Sequence, residues 1–205
     1  MIPQPTPPRI FSMSLSGVAL SLVLLGFLAT QSPAAPQKQH PKPRAAVADP
    51  VVIDLQGYRE ILQRYNGKPL LVNFWATWCE PCRAEYPMVN ELARKYAPQG
   101  LNVVGISLDD DGEITLVRSF LAQHNPVFPN YRKRPGNEEA FINAVSPKWS
   151  GAIPATFFYA RDGREIGHLV GETPREDFEK AIRALLEAGG NNSPKPAPKN
   201  ATSDH

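Results

Sequence analysis

The feature that most restricts the fold of this chain is an apolar run, LLVNFW at residues 70–75, from which a helical pattern follows almost at once. A run of this length, with Asn73 as its single polar residue, is typical of a β-strand buried on both faces. A second such run, LNVVGISL, occupies residues 101–108. Because strands that alternate with helices form sheets covered on both faces, the sequence predicts an α/β domain.

Helical spacing elsewhere gives the order of the remaining helices. Asp54 is a good N-cap, and the helix after it is predicted to end at Asn66-Gly67. The segment PCRAEYPMVNELARKYA, from residue 81 to 97, has helical spacing, and Pro87 is expected to kink it. Residues 113–123 and 137–145 also look helical, and PVFPNY between them indicates a short extended piece.

The end of the domain is predicted to be a hairpin followed by a helix. Asp162-Gly163, between two apolar runs, is a strong hairpin signal. In the last helix Thr173 is the expected N-cap, Pro174 the first helical residue and Glu176 the partner in a capping box. A hairpin after strands that alternate with helices predicts a central mixed sheet flanked by helices.

The two ends of the chain do not look like parts of a packed core. Residues 10–30 are uncharged and apolar, and their length favours a membrane anchor, although Ser32 and Ala34 permit signal cleavage. The proline-rich segments on either side of the domain cannot bury enough apolar surface to fold. The predicted organisation is a signal peptide or anchor (1–31), a linker (32–50), the domain (51–189) and a disordered tail (190–205).

This organisation predicts an exported protein on the periplasmic or cell-surface side of a membrane, tethered if the anchor is retained and secreted if it is cleaved. The formal net charge is +2, which gives no basic surplus for nucleic acid. We therefore expect no nucleic-acid partner.

The chain has two cysteines, Cys79 and Cys82, which directly follow the first buried run in WCEPC. A zinc site needs about four ligands, and neither His124 nor His168 has ligand spacing to the pair. A permanent disulfide across so short a loop would constrain the unfolded chain very little. A redox-active pair is the interpretation that remains, and we expect no metal and no other cofactor.

The position of the pair supplies its chemistry. Cys79 is expected at the N-terminus of the helix, where free N–H groups and the helix dipole lower a thiol pKa and favour nucleophilic attack. Cys82, one turn later, is shielded and placed to resolve a mixed disulfide. Pro81 fixes the turn between them, and the charge of Glu80 should temper the thiolate.

The run VNFWATWCEPC resembles the active-site strand, turn and helix of the thioredoxin superfamily. Pro87 matches that family's helix-kinking proline in spacing, and GAIPATFFY resembles its cis-proline loop, with Ile153-Pro154 opposite the cysteines. The resemblance implies a thioredoxin-like fold in which the backbone of Ile153 pairs with an extended substrate. It also implies that Trp78 caps the exposed sulfur, whereas Trp75 is expected in the core.

Two departures point to one branch of that superfamily. Cytoplasmic thioredoxins carry a buried, proton-transferring Asp where Asn73 stands. Roughly 45 residues separate Leu108 from Thr156, more than the dozen or so of a simple crossover, which implies an inserted helix and strand between the second buried strand and the cis-proline strand. With the export segment, these features resemble the membrane-anchored TlpA/ResA/DsbE-like thiol–disulfide oxidoreductases.

Other acids and histidines near these motifs have weaker assignments. The resemblance implies a proton-transfer acid after the second strand, at Asp110 or Asp109, although a solvated turn and N-cap explain those residues equally well. Glu85 is interpreted as a solvated charge on the helix surface. His124 and His168 are interpreted as surface or loop residues.

The resemblance implies an exported disulfide reductase, with disulfide-containing proteins as substrates and a membrane electron donor that recharges it. Apocytochrome c thiols, copper-site assembly proteins and misoxidised proteins in general are the substrates it suggests. Four alternatives stay open: an oxidase or isomerase that uses the same pair, a peroxidase, a copper-binding chaperone with His168 as third ligand, and a docking module with a vestigial pair.

Overall fold

The structure is a computed structural model that describes residues 48–188. The predicted export segment (1–31), the tail (190–205) and all but the last residues of the linker (32–50) lie outside these residues. Within the described part of the chain, no helix is both long enough and apolar enough to cross a membrane.

Strands and helices alternate along the described residues, as the sequence predicts. The strands are β1 (Val51–Ile53), β2 (Leu70–Trp75), β3 (Asn102–Ser107), β4 (Asn130–Lys133), β5 (Ala155–Tyr159) and β6 (Glu165–Val170). The α-helices are α1 (Leu55–Arg64), α2 (Glu80–Tyr96), α3 (Ile114–His124), α4 (Glu138–Val145) and α5 (Arg175–Glu187). Short 3-10 turns follow α2 and precede α3.

The six strands form one sheet in the order β1-β4-β3-β2-β5-β6. The first four strands in this order are parallel to one another, whereas β5 is antiparallel to both β2 and β6. The central mixed sheet is therefore confirmed. The predicted insertion is confirmed as well, because β4 and α4 lie between β3 and the strand that follows the Ile153-Pro154 segment.

β4 enters the sheet between β1 and β3, so the insertion widens the sheet rather than forming a separate lobe. Sequence periodicity gave no sign of β1, which has three residues on the edge of the sheet, two of them exposed. The extended piece predicted at PVFPNY starts too early in the chain, because strand β4 begins only at the penultimate residue of that segment, Asn130.

The alternation of side chains along β2 divides the core into two clusters. Leu71 and Trp75 face the cluster that α2, α3 and α5 cover. Leu70, Val72 and Phe74 face the other cluster, which α1 and α4 cover. Both cysteines belong to the first cluster, and Asn73 shares the parity of Leu71 and Trp75.

The N-cap predicted from the sequence is confirmed for α1 and is wrong for α5. The Asp54 side chain accepts a hydrogen bond from the Gly57 N–H at 3.0 Å, as predicted for α1. The predicted N-cap of α5 is wrong by one residue: Pro174 occupies that position, and α5 begins at Arg175. The Thr173 hydroxyl instead donates to the Gly171 carbonyl at 3.0 Å, and among the described residues no side chain caps α5.

Candidate active site

The cysteines lie where β2 leads into α2, and they are joined as a disulfide. Cys79 is the N-cap of α2, and its Sγ accepts a hydrogen bond from the Cys82 N–H at 3.2 Å. Cys79 is 6% exposed and Cys82 only 2%. The structure thus places the predicted nucleophile at the helix N-terminus and the predicted resolving residue deeper in the core.

Two residues lie between the cysteines, and two tryptophans come shortly before them. Glu80 is the exposed first residue of α2, and Pro81 lies in the first turn, where its missing N–H leaves no helical hydrogen bond unmade. Trp78 is 59% exposed, whereas Trp75 is buried and stacks on Phe120 at 4.7 Å between ring centroids. Trp75 is therefore a core residue, as predicted.

The Ile153–Pro154 peptide bond is cis. The antiparallel register pairs Phe74 with Ala155, which brings Pro154 beside the end of β2, from which the chain continues to the cysteines. Ile153 packs against the core cluster that contains both cysteines. Its backbone N–H and C=O make no hydrogen bond within residues 48–188, so both groups are free to pair with another chain.

The prediction for Glu85 is wrong: it is buried, with 6% of its surface exposed. Asn73 Nδ2 donates to Glu85 Oε1 at 3.4 Å and to Thr156 Oγ1 at 2.9 Å. Glu85 follows Cys82 by three residues, so both side chains lie on the inner face of α2. A buried carboxyl group from α2 thus lies beside Asn73.

Burial raises the pKa of Glu85 from 4.5 to about 7, because the charged carboxylate loses its hydration. The hydrogen bond from Asn73 acts in the opposite direction, and the charge of Glu172 adds to the increase. A carboxyl group with a pKa near 7 exchanges its proton readily at neutral pH. Sequence spacing could have indicated this burial, since Glu85 shares a helix face with Cys82 and Val89.

The two aspartates after β3 have different surroundings. Asp109 is 1% exposed and accepts hydrogen bonds from Thr77 and Ser107. Asp110 is exposed, and its N–H donates to the Glu113 carboxylate at 2.8 Å in the turn before α3. Of the two residues predicted for proton transfer, only Asp109 contacts the loop that leads to Cys79.

Both histidines of the domain, interpreted above as surface or loop residues, are half-buried and belong to regular elements rather than to loops. His124 ends α3 and packs against Phe120 at 4.3 Å between ring centroids. His168 lies in β6, and its Nδ1 is 2.7 Å from Glu165 Oε1. Across residues 48–188, no three His, Cys, Asp or Glu side chains come together as a metal site would require.

Comparisons with known proteins agree with this geometry. Residues 39–164 match the family described as AhpC/TSA. Thiol-disulfide oxidoreductase ResA of Bacillus thuringiensis is 34% identical over 135 residues, which cover 66% of this chain and 73% of that protein. The ResA of Geobacillus kaustophilus is 32% identical over 138 residues, covering 67% and 74%.

Among solved structures, a thiol:disulfide interchange protein of the thioredoxin family from Chlorobium tepidum is similar, with a TM-score of 0.51 and 27% identity. The match covers 60% of this chain and 83% of that one. This likeness, together with the sheet order, confirms the predicted thioredoxin-like fold.

Proposed function

This chain belongs to the AhpC/TSA family of thioredoxin-fold proteins, and from that premise we propose that Cys79 and Cys82 reduce disulfides in exported partner proteins. The protein is a thiol–disulfide oxidoreductase, as its relatives are. The reducing direction, the location and the role of each residue are the proposal.

One observation carries the proposal: Cys79 is the N-cap of a helix, directly beyond a buried strand. In the dithiol form, the N–H groups of the first turn and the helix dipole stabilise a thiolate there. Cys82 is within disulfide distance and more deeply buried. The free backbone groups of Ile153 would bind the substrate segment as an added strand.

The reaction is two successive thiol–disulfide exchanges. The Cys79 thiolate attacks one sulfur of the substrate disulfide, which forms a mixed disulfide and releases the other substrate sulfur as a thiolate. Cys82 then loses its proton and attacks the Cys79 sulfur. The Cys79–Cys82 disulfide forms, and the second substrate thiolate leaves, so two electrons have passed to the substrate.

Glu85 is the group that we assign to the proton of Cys82. It lies on the same inner face of α2, and its pKa of about 7 lets it accept a proton at neutral pH. Asn73 holds the carboxylate in place without competing for the proton, since an amide does not titrate in this range.

The proposed location is outside the cytoplasm, with residues 10–30 as the anchor or signal. An exported reductase needs a continual supply of electrons because its surroundings are oxidising. A membrane electron donor would therefore recharge the pair. Exported proteins with disulfides, including c-type cytochrome precursors, are the substrates that we propose.

Trapping of the mixed disulfide tests this function. The full chain carrying Cys82→Ser is mixed with a labelled peptide that contains one disulfide, and the products are separated without reductant. We expect a stable adduct on Cys79. The matched Cys79→Ser variant should form none, and an adduct found only in that variant would contradict the assignment of the nucleophile.

A further inference from the structure

We propose that Asp109 is a positioning residue that fixes the loop before Cys79. The inference rests on the proposed function, because the loop that it fixes carries the attacking sulfur. It replaces the sequence-based expectation that Asp109 transfers a proton, and it gives the inserted strand β4 a part in building the active site.

Both carboxylate oxygens of Asp109 accept hydrogen bonds. The Thr77 N–H lies 3.0 Å from Oδ1 and 3.1 Å from Oδ2, and the Thr77 hydroxyl donates to Oδ1. Ser107 Oγ donates to Oδ2 at 2.6 Å. Both carboxylate oxygens are therefore occupied by donors from β3 and from the loop, in a site that is closed to solvent.

The backbone of Asp109 is held from the other side by the insertion. Arg132, in β4, donates from Nη1 to the Asp109 carbonyl at 3.3 Å and from Nη2 to Asp111 Oδ1 at 2.5 Å. Arg132 is buried, and its Nε is without a partner in the described part of the chain. The Arg132 side chain therefore makes its hydrogen bonds to the segment that carries Asp109.

The connection from Asp109 to the chemistry is short. Thr77 precedes Cys79 by two residues, and the Cys79 sulfur must sit where it accepts the N–H of Cys82. Displacement of Thr77 would move the sulfur away from the helix N-terminus and out of line with an incoming disulfide. Small misplacements of a reacting group are costly because attack requires a defined approach.

Two consequences of replacing Asp109 would shift the pKa of the Cys79 thiol in opposite directions: the loss of the negative charge and the loss of the position of the loop. A nearby negative charge raises a thiol pKa, so its removal alone lowers that pKa. Loss of alignment with the helix N-terminus raises it, because the N–H groups no longer stabilise the thiolate. The sign of the change therefore separates a positioning residue from a simple charge.

The test uses the full chain in the reduced form, with Asp109→Ala, Asp109→Asn and the exposed neighbour variant Asp110→Ala as control. The rate of alkylation against pH gives the Cys79 thiol pKa, and release of thiol from a disulfide peptide gives the exchange rate. We expect Asp109→Ala to raise that pKa and slow exchange about tenfold. Asp109→Asn should recover most of the rate, because its amide oxygen still accepts from Thr77.

Equal slowing in Asp109→Ala and Asp109→Asn, with a lowered thiol pKa in both, would overturn the inference, as would wild-type behaviour of Asp109→Ala. If Asp109→Ala does not fold, the Thr77→Val variant provides the test, since it removes one donor to Asp109 and keeps the side-chain shape.

Slower exchange and a raised Cys79 thiol pKa in Thr77→Val would support the positioning role. An unchanged exchange rate and an unchanged thiol pKa would refute it. Failure of the wild-type chain to exchange at all would instead refute the proposed function.

Discussion

Two buried carboxylates, Asp109 and Glu85, lie near the cysteine pair, and they differ in how many hydrogen bonds they accept. Asp109 accepts from a backbone N–H and two hydroxyl groups. Glu85 accepts one side-chain hydrogen bond, from Asn73 at 3.4 Å, and the backbone of Thr173 also acts to lower its pKa. Each residue is almost entirely removed from solvent.

The difference shows how burial can serve either structure or chemistry. A carboxylate whose oxygens are all occupied by donors can act as a fixed anchor, because each donor holds it in a defined position. A carboxylate that is buried with few donors keeps a raised pKa, and for Glu85 it is about 7. We therefore expect Glu85 to affect pH-dependent steps and Asp109 to affect geometry.

The largest effect should come from Glu85→Gln in the resolving step. Without a base beside Cys82, release of a peptide from its mixed disulfide with Cys79 should slow about 100-fold at pH 8. The inflection near pH 7 in the wild-type rate should disappear as well, since it reports the Glu85 pKa. Rapid-mixing measurements of peptide release across pH 5 to 9 would show both changes.

The control for that measurement is Glu91→Gln, which neutralises an exposed carboxylate on the same helix. It should retain the wild-type rate and inflection. A Glu85→Gln protein with the same profile as this control would remove Glu85 from the mechanism.

A second carboxylate beside Glu85 should destabilise the fold. Asn73→Asp replaces the donor to Glu85 and Thr156 with an acceptor, and two like charges then face each other in a buried site. We expect a loss of about 2 kcal/mol in the free energy of unfolding at pH 8. The loss should be smaller at pH 5, where Glu85 is protonated.

Urea unfolding of the oxidised proteins at both pH values would measure these losses. Asn143→Asp, at an exposed position in α4, provides the matched control and should change stability little. Equal losses at pH 5 and pH 8 would mean that the charge of Glu85 has no part in the effect.

Glu85 should also make wild-type stability depend on pH. Its folded pKa of about 7 lies above the ordinary 4.5, so the folded state holds a proton that the unfolded state has already lost. Stability contributed by this group therefore falls as pH rises from about 4.5 to about 7. Relative to its value at pH 5, the stability difference between Glu85→Gln and wild type should shift by about 2.5 kcal/mol in favour of Glu85→Gln at pH 8. A constant difference in urea unfolding would contradict this assignment.

The smallest effect is expected when Asp109→Asn is compared with wild type in the same pH series. Exchange should slow by about twofold, because one acceptor for Thr77 remains. The inflection near pH 7 should persist, since it belongs to Glu85. If that inflection disappeared in the Asp109→Asn protein, Asp109 rather than Glu85 would be the residue that transfers the proton.

Local sequence signals were sufficient for the elements that carry the cysteines. β2 and β3 each show as an apolar run, and Cys79 begins α2 as the spacing indicates. The cis bond before Pro154 was also anticipated, from its resemblance to a known loop. These features depend on residues that are close together in the chain.

The features that sequence missed depend on contacts between distant segments. The helix spacing of Glu85 is compatible with burial, but its hydrogen bond with Asn73 joins two different elements and is visible only in the fold. Asp109 was one of two candidates for proton transfer, beside a solvated turn, and its hydrogen bonds to Thr77 became visible only when β3 and the loop after β2 were placed side by side. The three residues of β1 carry too little periodicity to identify a strand without its partner β4.

The reduction potential of the Cys79–Cys82 couple in the full chain, equilibrated with thiol buffers of defined potential, tests the central claim most directly. Our account predicts a value near or below about −220 mV, in the range of proteins that donate electrons. A value near about −120 mV, typical of a strong disulfide donor, would contradict the proposed direction of electron flow.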